Sequence, residues 1–272
     1  MSTTPLRPRR SSSDYPTRKP RQPADALAAA RARPQVDDQW IAAAPGSKRL
    51  LDLVVATLLL VVLAPLMLLV AIVIFLDGGG PVFYRCRRVG LDGHEFEMVK
   101  FRKMEPEAGG PALTSASDQR LTRVGSFLAR TKLDELPQLW NVFRGQMSLV
   151  GPRPEDPSFV AIDREGYSEI LTVQQGITGL SQLAFAKESQ LLEGDDRLER
   201  YVANLLPQKM ALDQLYVARR SQLMDLRILA WTMAAVLFGI DVAVDRRSGR
   251  LSVRRRRQAS PSRASVLEET GR

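Results

Sequence analysis

Hydrophobic positions are spread unevenly along the chain. From Leu53 to Leu76 it reads LVVATLLLVVLAPLMLLVAIVIFL, about 24 residues and long enough to cross a bilayer as a helix. Pro65 sits near the middle, where it removes a helix hydrogen bond and bends the axis. Both polar flanks are basic: Lys48 and Arg49 before, then Arg85, Arg87, Arg88, Lys100 and Arg102 after. A single crossing would strand one basic flank on the wrong side of the membrane. A helix-break-helix hairpin that enters and leaves one leaflet keeps both on the same side. On these features alone a kinked transmembrane helix stays equally open.

Beyond the loop Gly78-Gly79-Gly80-Pro81, VFYRCRRVG and HEFEMVKFRKM read as short strands around a turn at LDG, 91–93. Residues 105–118 are a polar loop, and RLTRVGSFLAR leads into LDELPQLWN, 133–141. There Leu136, Leu139, Trp140 and Phe143 recur at i, i+3, i+4 and i+7, which predicts a helix with one buried face. Pro137 suits its first turn. GQMSLVGPRPED is a loop, QGITGLSQ a turn, and 195–220 is helical with a break at Pro207. The apolar stretch 225–240 is short for a span and carries Arg227, which predicts a membrane-interface or core helix. No internal repeat is visible. The fold class predicted is α+β, mostly helical.

Charge refines the domain plan. The chain of 272 residues carries a net +9, yet residues 1–49 hold +6 and residues 246–272 hold +7, so the middle is mildly acidic. A nucleic-acid-binding domain carries its basic face on the folded body, so no nucleic-acid partner is expected. The plan is a disordered basic tail over 1–45, a membrane helix over 46–77, a catalytic domain with interfacial helices over 78–245, and a disordered basic tail over 246–272. Arg254 to Arg257 suit anionic lipid head groups. The first long apolar run begins only at Leu53, so no secretory signal is predicted. A single cysteine, Cys86, and a single histidine, His94, exclude an intrachain disulfide and argue against a structural zinc site. Any metal would be a hard cation on carboxylates.

Candidate chemistry concentrates between 85 and 155. No nucleophile elbow, P-loop or dinucleotide fingerprint is present. What remains is a mixture of acids and cations that includes Lys100, Arg102, Arg120, Asp134, Glu135 and Arg153. Adjacent carboxylates at a helix start favour capping when taken alone, since free N–H groups and the helix dipole stabilise negative charge there. Set among arginine forks, the same pair suits Mg²⁺ and phosphate oxygens. Pro152 and Pro154 hold Arg153 on a stiff backbone that presents one guanidinium.

Four segments, in order, carry a resemblance: KRLLDL leading into the proline-broken apolar run, GGPVFYRCRRVGLDGHEFEMVKFRKM, DQRLTRVGSFLARTKLDELPQLWNVFRGQMSLVGPRPE, and GITGLSQ. Over about residues 46–240 the chain resembles the bacterial sugar transferases, monotopic polyprenyl-phosphate hexose-1-phosphate transferases. The resemblance implies a re-entrant membrane helix broken at Pro65 and a compact catalytic domain on the cytoplasmic face of the bacterial inner membrane. It also implies a UDP-sugar donor, a polyprenyl (undecaprenyl) phosphate acceptor and Mg²⁺. The family's acidic dyad falls on Asp134, the expected nucleophile, and Glu135, the expected metal ligand. Its nucleotide-contacting Pro-Arg-Pro falls on Pro152, Arg153 and Pro154, its Lys-Phe-Arg on Lys100, Phe101 and Arg102, and Arg120 joins the expected substrate contacts. Ala64, Lys103, Gln119 and Gln175 depart from the usual residues, with Lys103 standing where Ser or Thr is common. A membrane-bound phosphohydrolase using the same aspartate and a membrane-anchored interaction protein are the alternatives, and oligomerisation stays open.

Overall fold

Residues 46–106, 108, 113–115, 118–192 and 196–254 are described by a computed structural model; the predicted tail over 1–45 and residues 255–272 lie outside them. Helix α1 (Gly46–Gly78) contains the whole apolar run. It continues through Pro65, so the break predicted there is not an interruption of the helix. A proline removes one rung of the hydrogen-bond ladder, and the leucine-rich turns on either side keep the remainder. Among the described residues α1 alone is long and apolar enough to cross a membrane.

Both ends of α1 rest on the folded body, while the middle does not. Asp52 and Ala56 are buried near its start, Val70 and Ile74 near its end, and Val61, Val62, Leu68 and Leu69 between them are exposed. At the start, Lys48 Nζ donates to Val150 O at 3.0 Å and pairs with Asp225 at 2.6 Å. Arg49 caps a helix end through Val142 O (2.6 Å) and Phe143 O (2.9 Å), and Asp52 accepts from Ser148 Oγ at 2.7 Å and Leu149 N at 3.1 Å. At the far end, Val70 and Ile74 cluster with Phe101 and Leu128.

Strands β1 (Phe83–Val89) and β2 (Glu95–Phe101) form the expected hairpin, antiparallel with Cys86 opposite Met98, around a turn at Leu91–Gly93. Helix α2 (Arg123–Thr131) starts at Thr122, whose side chain accepts from Gly125 N, and ends at Lys132 in the left-handed region. The acids that follow occupy a 3-10 turn, Leu133–Glu135, before the short helix α3 (Gln138–Phe143). The face predicted to be buried on α3 needs correction. Gln138, Leu139, Asn141 and Val142 are buried, whereas Trp140 and Phe143 stack on each other at the surface, centroids 5.4 Å apart. Asn141 fits the interior because it is satisfied there: it donates to Glu97 O (2.7 Å) and Gln146 Oε1 (2.8 Å) and accepts from Val99 N (3.0 Å).

Strand β3 (Ser148–Val150) pairs in parallel with β4 (Gly176–Thr178), which lies within the stretch expected to be a turn. The backbones meet so closely beyond β3 that a Cβ on Gly176 would lie 2.1 Å from Gly151 N. Helices α4 (Pro157–Ile162), α5 (Arg164–Ile170), α6 (Leu180–Ala184), α7 (Glu188–Leu191) and α8 (Arg197–Arg200) follow. A π-turn, Tyr201–Leu205, then joins α8 to α9 (Leu206–Arg219). The break expected at Pro207 is thus a continuous helical path, because the proline falls in the first turn of α9, where its missing N–H is not needed. Helix α10 (Gln222–Phe238) buries only Asp225 and Ile228 and exposes Leu226, Met233, Val236, Leu237 and Phe238, which makes it a surface helix rather than a core one. Strands β5 (Val242–Val244) and β6 (Leu251–Val253) pair antiparallel. Strand β6 and the turn before it fall within 246–254, the first part of the predicted C-terminal tail over 246–272, with Val244 paired to Leu251.

Candidate active site

The end of β2, the 3-10 turn and the segment after β3 meet around the two adjacent acids. Glu135 Oε1 accepts from Arg153 Nη2 at 3.1 Å and from Lys100 Nζ at 3.4 Å. Asp134 Oδ2 lies 3.5 Å from Lys103 Nζ. Its other oxygen, Oδ1, is buried and has no hydrogen-bond partner among the described residues. The sequence reading of the acids as helix caps does not hold in this geometry, since neither side chain closes a cap on α3.

Local structure explains the placement. Lys132 turns the chain back in the left-handed region, which brings Asp134 inward directly after α2. Pro152 and Arg153 are fixed by β4: Gly176 N donates to Pro152 O at 2.7 Å and Gly151 N to Thr178 O at 2.9 Å. Pro152 and Pro154 are buried, so Arg153 projects from a braced backbone.

Three cations around two carboxylates set the electrostatics. Burial pushes the Glu135 carboxyl up, but Arg153, Lys100 and Lys132 together prevail and hold it well below the usual carboxylate range. Glu135 raises Arg153 above its ordinary value in return. Lys100 is lowered, chiefly by burial, with Glu135 opposing and the nearby Arg153 and Lys103 charges adding to the fall. An anion-binding centre with excess positive charge results, and it suits phosphate oxygens.

Of the residues expected at the site, the structure brings Lys100, Glu135 and Arg153 into contact, with Asp134 adjacent. Two expected arginines make hydrogen bonds elsewhere. Arg102 is buried, with Nη2 donating to Ile74 O at 3.4 Å near the end of α1 and Nη1 without a hydrogen-bond partner among the described residues. It lies beyond the last residue of β2, so it leaves the alternation that aims Lys100 at the site. Arg120 is gripped by Asp118 through Nε (2.9 Å) and Nη2 (2.8 Å), and this pairing holds the Asp118 carboxyl down at about 2. Pro65 lies in the exposed middle of α1, remote in sequence from every site residue. The site residue not singled out beforehand is Lys103; its only signal was a cation where a hydroxyl residue is usual.

Residues 43–239 match the family model described as Bacterial sugar transferase. The chain is 40% identical over 196 residues to a UDP-glucose:undecaprenyl-phosphate glucose-1-phosphate transferase of Caulobacter vibrioides, covering 70% of this chain and 69% of that protein. An Escherichia coli protein of the same name is 36% identical over 192 residues, covering 68% of this chain and 39% of its own length. A UDP-N-acetylgalactosamine-undecaprenyl-phosphate N-acetylgalactosaminephosphotransferase of Aeromonas hydrophila is 34% identical over 197 residues, covering 71% and 44%. The chain thus spans less than half the length of the last two relatives.

Proposed function

The chain belongs to the bacterial sugar transferase family, and from that premise we propose that it transfers a sugar-1-phosphate from a UDP-sugar to undecaprenyl phosphate. The observation that carries this reading is Asp134, a buried carboxylate with one oxygen unpartnered among the described residues, set beside Lys103 and next in sequence to Glu135, which holds Lys100 and Arg153. Lys100 and Arg153 bind the diphosphate oxygens of the donor. A carboxylate oxygen of Asp134 attacks the phosphorus that bears the sugar, the bond to the UMP oxygen breaks, and UMP leaves with the electron pair. A phosphosugar ester on Asp134 results. An oxygen of the acceptor phosphate then attacks the same phosphorus, giving polyprenyl diphosphate-sugar and restoring the carboxylate. Such displacements need positioning and charge stabilisation above all, which the braced cations provide.

The residues also suit Mg²⁺. Lys100 and Arg153 both bond Oε1 of Glu135, so Oε2 would be the atom that helps hold a hard cation. Among the described residues no third acidic, histidine or cysteine ligand joins the dyad. Bound there, the ion would neutralise diphosphate charge.

The membrane helix fits a re-entrant course on the cytoplasmic side of the inner membrane. Its two ends grip one folded body, and a body cannot stand on both faces of a bilayer. The exposed middle of α1 and the apolar surface of α10 would meet lipid, which brings the acceptor to the site.

The test is a donor-only reaction. Full-length protein with labelled UDP-sugar and Mg²⁺ but no lipid should release UMP and trap label on the Asp134 peptide, at most one per chain. UMP release that requires undecaprenyl phosphate, with no label on protein, would overturn the covalent route.

A further inference from the structure

Resting on that reading, we propose that Lys103 is a donor-phosphate contact which, before the donor binds, lies against the nucleophile and covers it. Lys103 differs from the other two cations of the site. Lys100 and Arg153 pair with Glu135, whereas Lys103 has Asp134 as its partner among the described residues, at 3.5 Å. That separation exceeds the roughly 2.7–2.9 Å of a tight charge-assisted hydrogen bond, so the pair is loose. Its two halves also differ in access: the Lys103 side chain is 26% exposed and that of Asp134 only 3%. The ammonium is the outer member, and an incoming anion meets it first.

The backbone beneath this lysine is clamped, which confines movement to the side chain. Lys103 O accepts from Thr122 N at 3.1 Å, and Met104 bridges to Leu121. The start of α2 presses so close that a Cβ on Gly125 would lie 1.8 Å from Lys103 O. A fixed Cα with a half-open four-carbon stem lets the ammonium swing from the carboxylate to a phosphate a few ångströms away. A diphosphate outcompetes one carboxylate for that cation because it presents more charge and more acceptor oxygens. The nucleophile is then uncovered as its target arrives.

Two measurements on the full chain in membrane vesicles test this, using whichever of UDP-glucose and UDP-N-acetylgalactosamine the wild type turns over. A water-soluble carbodiimide should join Lys103 Nζ to Asp134 as an amide, seen by mass spectrometry as a linked peptide pair. Saturating donor should suppress that link. In kinetics, Lys103→Met and Lys103→Gln should raise donor KM about tenfold while kcat stays within about threefold, and Lys103→Arg should restore KM. A link that is absent in resting enzyme or insensitive to donor, or an unchanged KM in both neutral variants, overturns the proposal. Wild-type protein that releases no UMP from either donor would instead overturn the functional reading on which it rests.

Discussion

Arg153 and Glu155 stand two residues apart and bond into two ionic clusters of different character. Glu155 points into the interior, where its Oε1 accepts from Lys209 Nζ at 2.8 Å and Tyr201 Oη at 3.0 Å. Lys209 also reaches Tyr201 Oη at 2.8 Å and Glu188 at 3.3 Å, and it lies 4.9 Å from the Tyr201 ring centroid. Burial raises the Glu155 carboxyl, yet Lys209, through its charge and its hydrogen bond, together with Arg88 and Arg153, leaves it lowered. Every charge there has a close partner from the protein. In the dyad cluster the contacts run from 3.1 to 3.5 Å and one carboxylate oxygen has none among the described residues. Saturated pairs fasten α9 to the segment after β3; the unsatisfied oxygen of the dyad cluster keeps bonding capacity for a ligand. Buried ionic groups thus divide into fastening and reactive sets by how completely the protein satisfies them.

The widest gap between the clusters should appear when each loses one group. Asp134→Asn should lower transfer by at least about 10³-fold, since an amide cannot carry the phosphosugar. Folding stability should change by less than about 2 kcal/mol, because this side chain donates or accepts no short internal bond. Lys209→Met should do the reverse. It strands Glu155 and Glu188 without their cation, a loss of about 3–5 kcal/mol in unfolding free energy, while transfer per folded molecule stays near normal. Chemical denaturation and turnover measured on the same samples separate the two. A destabilised Asp134→Asn protein, or an inactive but fully stable Lys209→Met one, would erase the distinction.

How far the sequence reveals each cluster depends on how local its causes are. The β1–β2 hairpin was legible because alternation and the LDG turn act over a few residues. The dyad and Pro152-Arg153-Pro154 were legible as motifs, but their meeting depends on the β3–β4 pairing, a long-range contact with no local signature. Trp140 and Phe143 were misassigned for a related reason. Helical periodicity reports an apolar stripe without saying whether it faces a core or lipid, and the buried face here is partly polar. Arg102 and Lys103, adjacent in sequence, diverge because the strand ends at Phe101; only the fold sends one toward Ile74 and the other toward Asp134.

Glu135 sharpens the comparison by lying between its extremes. It is paired with two cations yet keeps an oxygen outside those bonds. Glu135→Gln should reduce transfer roughly a hundredfold, the scale of losing one electrostatic stabiliser. Raised Mg²⁺ should recover part of the loss if the residue helps hold the ion. A titration of initial rate against Mg²⁺ for wild type and variant reads this directly; parallel curves differing only in height would remove Glu135 from metal binding.

The smallest expected effect comes from Asp213 on α9, beside the fastening cluster. Its carboxylate is buried and accepts from Ser181 Oγ at 2.7 Å. Burial pushes its pKa up to about 7, against the lowering influence of Ser181 and Lys209. The sign follows from proton binding. In the folded state the group keeps its proton up to about pH 7, whereas in the unfolded chain it loses it near the ordinary aspartate value of 3.8. The stabilising contribution is therefore complete below the unfolded value and is lost as pH rises through about 7. Between pH 6 and pH 8 one such group lowers unfolding free energy by about 1.4 kcal/mol. Asp213→Asn keeps a carbonyl oxygen for Ser181 and cannot ionise, so this part of the pH dependence should vanish. The variant should accordingly gain on wild type as pH rises from 6 to 8. Denaturant unfolding at those two pH values measures the difference, and equal slopes with pH in the two proteins would show that Asp213 does not titrate in that window.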